Sequence, residues 1–196
     1  MASRYVHFST YSAVARQDTA VIPERRNHQV LLRHVVAKGG HANDFLKVFP
    51  AKAYGETTVL TGIAGAATAI YLVGDGATNT LHGVAVAAND YVLIMTDTKG
   101  WQLALVGAVT ASDANKIRIS TLTALDGGAG AKDAITAGNK AFVIWAEDIL
   151  SVALGTAQFD LEYMAAGEVG KPLALSSLGA DTAAHFMGGV CEYVAC

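Results

Sequence analysis

Residues 89–128 read NDYVLIMTDTKGWQLALVGAVTASDANKIRISTLTALDGG. YVLIMT, WQLALVGAVT and KIRISTLTAL are rich in β-branched, aromatic and other apolar residues, while DTKG and ASDAN between them are turn formers. The spacing predicts three β-strands joined by tight turns. KIRISTLTAL alternates, which puts Ile117, Ile119 and Thr121 on one face and Arg118 and Ser120 on the other. Few side chains in the whole stretch could serve as acid, base or nucleophile. A chain that invests so much in sheet and so little in reactive groups points to a building part whose product is its surface.

The same texture extends on both sides. Upstream, TTVLTGIAG and ATAIYLVG read as two strands, or as one bent at Gly62 and Gly65, followed by the turn GDGATNT. Downstream, AFVIWAEDI closes the unit. Five or six short strands at roughly ten-residue spacing predict a small antiparallel β-barrel or sandwich. HQVLLRHVV (28–36) and DFLKVFPA add strands before it. After it come KPLALSS, AHFMGGVCEYV and FDLEYM, the last with Phe159, Leu161 and Tyr163 inward and Asp160 and Glu162 outward. Residues 1–27 show no sustained period and contain Pro23 and the polar cluster ERRN. They read as an extended N-terminal arm with one short strand at Tyr5–Ser9. The expected organisation is thus all-β: an arm over 1–27, then a β-rich domain over 28–196 with 57–147 as its barrel module.

Composition narrows the function class. Of the 196 residues, 52% are hydrophobic and only 16% charged, against a charged share of about 25% in ordinary soluble domains. Such a chain has apolar surface to hide beyond its own core, and subunit interfaces are the usual place. Net charge is −3, but residues 1–40 hold six cations against two carboxylates, a net +4, and the remainder eight against fifteen, a net −7. That asymmetry suits docking of the basic segment on an acidic protein surface. Six cations spread over so long a segment do not make the basic run that nucleic acid requires. The segment TTVLTGIAGAATAIYLVG (57–74) lacks charges, yet its Thr and Gly suit sheet better than a membrane helix, and MASRYVHFSTYSAVARQDTA lacks the apolar core of a signal peptide. No membrane partner is expected.

Constellations for chemistry are absent from the sequence. GDG (74–76) and GGAG (127–130) do not open a helix after a strand and are not followed by Lys-Ser or Lys-Thr, so they read as turns rather than phosphate cradles. Among His7, His28, His34, His41, His82 and His185, only His28 and His34 share a strand face, and six extended residues separate them by about 20 Å, too far for one metal. Glu147–Asp148 and Asp160/Glu162 read as solvated carboxylates, since a hard cation wants six or more converging oxygens. Cys191 and Cys196 fit neither a zinc nor a redox spacing and are expected as free thiols. His185 and Cys191 are too far apart along a strand to form a nucleophile–base pair. Trp101 and Trp145 are candidates for barrel core or for an interface anchor. No catalytic, cofactor-binding or metal-binding residue is predicted, and no enzyme.

The order AANDYVLI, GWQLALVGAVT, KIRISTLTAL, AGNKAFVIW resembles the β-barrel modules of tailed-bacteriophage virion proteins, and most of all the capsid decoration, or cement, proteins. The resemblance covers residues 57–147. Asn89–Asp90 stands where many such modules have Gly-Asp. It implies a structural protein on the capsid exterior, made in the host cytoplasm. It also implies a homotrimer that bridges neighbouring capsomers, with the major capsid protein as partner and no cofactor. Arg4, Arg16, Arg25 and Arg26 are the interface residues that the charge distribution suggests. A tail-tube, head-fibre or receptor-binding subunit is the alternative within the virion. A β-barrel enzyme or small-ligand binder is the alternative outside it.

Overall fold

The computed structural model describes residues 4–12, 18–39, 44–52, 55–110, 112–124, 130–153, 158–178 and 185–196. In chain order the strands are β1 (Arg4–Ser12), β2 (Asp18–Ile22), β3 (Val30–Lys38), β4 (Phe45–Pro50), β5 (Glu56–Thr58), β6 (Ile70–Val73), β7 (Thr80–Leu81) and β8 (Val84–Ala85). They continue with β9 (Tyr91–Met95), β10 (Trp101–Val109), β11 (Lys116–Ala124), β12 (Lys140–Ile144), β13 (Leu150–Ala153), β14 (Gln158–Ala166), β15 (Leu173–Leu178) and β16 (His185–Ala195). One 3-10 turn lies at Ala146–Asp148. The protein is all-β, as its strand texture predicts. The chain divides into two compact units: unit 1, formed by Met1–Pro50 and Ile149–Cys196, and unit 2, formed by Ala51–Asp148.

Unit 1 is a rolled hairpin. Each strand of its first half pairs antiparallel with the mirror-related strand of its second half: β1 with β16 (Arg4 opposite Tyr193), β2 with β15 (Ile22 opposite Leu173), β3 with β14 (Val36 opposite Asp160) and β4 with β13 (Val48 opposite Leu150). Two further pairings, β16 with β3 and β15 with β4, roll this ladder into the sheets β1-β16-β3-β14 and β13-β4-β15-β2. The result is an eight-stranded jelly roll. Its core draws Val30, Leu32, Val35, Ala37 and Cys191 from the first sheet and Ile22, Leu46, Val48, Leu173 and Leu175 from the second. Burying a Val or Leu of this kind contributes about 1.5–3 kcal/mol.

The run VLLRHVVAK explains how β3 keeps its apolar side inward. Val30 and Leu32 are buried, Arg33 is exposed, and then Val35 and Ala37 are buried, so the alternation changes parity in mid-strand. The register shifts at that point: Glu192 lies opposite His34 and Tyr193 opposite Leu32, which leaves Arg33 as an extra residue. The bulge turns the second half of the strand by one residue, so both apolar pairs face the core. The segment expected as an arm is extended, but it carries β1 and β2, and both pair with C-terminal strands inside unit 1.

Unit 2 is a barrel. Its six-stranded sheet runs β5-β12-β9-β10-β11-β6. A bridge between Val59 and Leu72, with Leu60 N–H donating to Tyr71 O at 2.8 Å, joins the two edge strands and closes the sheet on itself. Closure removes the open edges that would otherwise invite aggregation. Val59, Ile70, Leu72, Val92, Ile94, Ala104, Val106, Ile117, Ile119, Ala141 and Val143 fill the interior. β9 is buried on both faces for most of its length, which is why YVLIM reads as a continuous apolar run.

The structure departs from the sequence pattern at two places. Thr121 does not follow Ile117 and Ile119 inward. The β10–β11 register shifts between Val106 and Val109, so Leu122 is buried and Thr121 exposed. The displaced Thr121 needs the missing side chain of Gly107, where a Cβ would lie 2.9 Å from Thr121 Cγ2. TTVLTGIAG is not one long strand: β5 ends at Thr58, and the chain then runs irregularly to Ile70, held by the bridges of Val59 to Leu72 and Ile63 to Ile135. Among the described residues, no helix is long and apolar enough to cross a membrane.

Candidate functional site

A groove of about 360 Å³ opens on the outside of the barrel. Its floor follows from strand alternation. Ile70 and Leu72 of β6 and Ile117 and Ile119 of β11 point inward, so Tyr71, Lys116 and Arg118 point outward. Arg118 lies directly opposite Tyr71 in the ladder, and its guanidinium stands over the Tyr71 ring at 5.6 Å from the centroid. Leu60 and Thr61, just past the barrel closure, form one wall, and Ser112 and Asp113 from the β10–β11 turn form another.

The groove's charges are not equivalent. Lys116 Nζ donates to Asp113 Oδ2 at 2.7 Å. That hydrogen bond, and the charge behind it, lower the Asp113 carboxyl below its ordinary value and raise the Lys116 ammonium above its own. Arg118 is oriented by an aromatic face instead, and among the described residues no carboxylate pairs with it. Its backbone N–H donates to Asn79 Oδ1 at 2.9 Å, which fixes the strand, and among the described residues no hydrogen bond engages its guanidinium fork. The Ser112 hydroxyl is buried without a partner. This arrangement can receive a hydrogen-bond acceptor or an anion.

The structure separates the residues that the sequence suggests for an interface. Arg4 opens β1 and is exposed. Arg25 and Arg26 lie in the turn before β3, where Arg25 O accepts from His28 N at 3.0 Å and Arg26 O from His28 Nδ1 at 2.7 Å. β1 and β3 both run antiparallel to β16, so their first residues lie at one end of the sheet, beside the Gln29–Cys196 backbone pair. Arg4 and the Arg25–Arg26 turn therefore share that end. Arg16 lies outside the described residues.

The other candidates have structural partners or stand apart. His34 and Asp160 are 2.5 Å apart across β3 and β14, and His82 lies 3.2 Å from Asp75. Asp148 pairs with Lys52. Among the described residues, no group of three His, Cys, Asp or Glu side chains converges as metal ligands would. Cys191 and Cys196 are both free; Cys191 is buried, and desolvation pushes its thiol up to about 12. Trp145 belongs to the barrel core and donates from Nε1 to Ala85 O at 2.9 Å. Trp101 packs on Phe142 with ring centroids 5.8 Å apart. His41 and the side chains of Phe159, Leu161, Glu162, Tyr163 and His185 lie outside what is described.

Tyr71 and Arg118 are the residues that reading the sequence misses. Arg118 is recognisably outward in KIRIS, and Tyr71 is the one aromatic in ATAIYLVG. Their meeting depends on the register between strands far apart in the chain, and no local pattern encodes that.

No protein-family model matches the chain, and no curated protein sequence matches it. Among solved structures it is similar to VP17, a capsid protein of bacteriophage P23-77, at 8% identity over 100% of this chain and 96% of that one, with a TM-score of 0.20. It is also similar to the infectious bursal disease virus VP2 subviral particle, at 8% identity over 98% of this chain and 42% of that one, with a TM-score of 0.13. At these TM-scores neither likeness supports an inference about this chain.

Proposed function

We propose that this protein is a structural component of an icosahedral virion. The observation that carries the reading is the nesting of β1–β4 on β13–β16, between which the barrel is inserted in sequence. An eight-stranded jelly roll is an architecture of viral shells, and also of lectins and cupins, so the fold alone sets a class rather than a role. The low charged share of 16% favours the shell within that class, because apolar and neutral surface suits extensive contact with neighbouring subunits.

The narrower assignment is decoration. In this reading a homotrimer attaches to the outside of an assembled phage head, bridges neighbouring capsomers and holds the major capsid protein through many weak contacts that symmetry multiplies. The gathering of Arg4 with the Arg25–Arg26 turn at one end of a sheet favours it, since a basic end suits an acidic capsid surface. Deleting residues 1–27 is the wrong test, because it removes β1 and β2 from unit 1. Charge removal is the right one.

The purified protein is sedimented with expanded heads that lack it, as wild type and as the variant Arg4→Gln/Arg25→Gln/Arg26→Gln. Saturable binding at a fixed ratio to the coat protein, weakened at least tenfold in the variant, is expected. Closed shells formed by the protein alone would make it a wall subunit and end the decorating role. Absence of both head binding and shell assembly would end the decorating and wall roles and leave the tail or fibre subunit.

A further inference from the structure

We propose that the Tyr71–Arg118 groove of unit 2 binds an acidic sugar, a single pyranose ring carrying a carboxylate. The inference goes beyond the virion reading and does not depend on it. Guanidinium groups fixed by a carboxylate are already neutralised, but Arg118 is fixed by the face of Tyr71 and keeps its charge and its donors for a ligand. Its planar fork matches a carboxylate through two parallel hydrogen bonds.

Size and lining select the rest of the ligand. At about 360 Å³ the groove lies at the low end of the range of small-molecule sites, roughly 300–1,000 Å³, and accommodates one ring rather than a chain. The hydroxyls of Thr61 and Tyr71 and the apolar side of Leu60 offer the mixture of polar and C–H contacts that a pyranose presents. The Lys116–Asp113 pair carries no net charge, which leaves Arg118 as the single unbalanced charge of the groove lining and suits a monoanion better than a phosphate or sulfate. Unit 2 as a whole carries six cations and nine carboxylates, a net −3, which further disfavours polyanions.

The test is a titration of the full-length protein with sodium glucuronate, followed by two-dimensional NMR, with glucose and inorganic sulfate as comparison ligands. Saturable shifts at Tyr71, Ser112 and Arg118 are expected with glucuronate. Glucose and sulfate are each expected to bind at least tenfold more weakly. Arg118→Gln, an exposed change, should lose at least tenfold in glucuronate affinity with an unaltered unfolding midpoint, and Thr61→Val should lose a smaller factor. Equal binding of glucose would remove the role of the carboxylate. Equal binding of sulfate would reduce the groove to an unspecific oxyanion site. Unchanged affinity in Arg118→Gln, or no saturable binding of glucuronate, would overturn the proposal outright.

Discussion

Leu72 bridges to Val59 across the seam of the barrel, and through that contact β6 and β5, the two ends of the six-stranded sheet, become neighbours. Leu72 is fully buried, whereas the next residue, Val73, is 37% exposed. Leu72→Ala is expected to cost about 3–4 kcal/mol, because it opens a cavity where the barrel closes. Val73→Ala should stay within about 0.5 kcal/mol of wild type. Chemical denaturation of both variants checks this, and comparable losses would contradict the closed barrel.

In unit 1, Gly189 lies opposite Ala37, and a Cβ on it would sit 2.3 Å from Val36 O and 2.8 Å from Ala37 Cα. Backbone on both sides cannot give way without disturbing the β16–β3 ladder. Gly189→Ala should therefore destabilise by about 3 kcal/mol or more through overpacking. Gly138 has φ +92 but open space around it, so Gly138→Ala should cost only the backbone strain, about 1 kcal/mol. The ratio of the two losses, measured by urea unfolding, separates close approach from conformation.

The loops at one side of the barrel predict an acid dependence. Asp133 accepts from Thr98 Oγ1 at 2.6 Å, from Thr98 N at 2.7 Å and from Lys99 N at 3.2 Å. These bonds, the Thr98 hydroxyl foremost, lower its carboxyl from 3.8 to about 2. A depressed carboxyl stabilises the fold fully above its unfolded value and loses that contribution as pH falls from there toward about 2. Stability should thus decline between those two values, and Asp133→Asn should make the decline shallower. Identical pH profiles for the two proteins would contradict the assignment.

Thiol chemistry distinguishes the two cysteines. Cys191 is buried with its thiol pushed up to about 12, and Cys196 is exposed. Near neutral pH the Cys191 thiolate fraction is about a thousandfold below that of an ordinary thiol, in addition to its poor access. One equivalent of an aromatic disulfide reagent should react quickly with native protein, and the second only after unfolding in guanidinium. Two fast equivalents would show that the β16–β3 core is open.

The local signals in the sequence find most strands. YVLIMT, WQLALVGAVT, KIRISTLTAL and AFVIW overlie β9, β10, β11 and β12, because turn chemistry and strand propensity agree there. β2 escapes notice, since DTAVI is too short to show a period and derives its place from pairing with β15. The nesting of β1–β4 on β13–β16 is equally invisible: each half reads as ordinary strands, and partners such as Val48 and Leu150 are brought together only by the return of the chain after Ala51–Asp148. The bulge at Arg33 leaves a trace, two apolar pairs out of phase in VLLRHVVA, whose meaning becomes clear once Glu192 and Tyr193 set the register. The groove follows the same rule, as Tyr71 and Arg118 are individually legible and jointly not.

A virion role is decided by the ratio of this protein to the major capsid protein in gradient-purified virions, obtained by quantitative mass spectrometry. A virion structural role predicts a fixed whole-number ratio that survives repeated banding and matches the saturation ratio seen with purified heads. Absence from the particles, or a ratio that falls with each purification step, would contradict it.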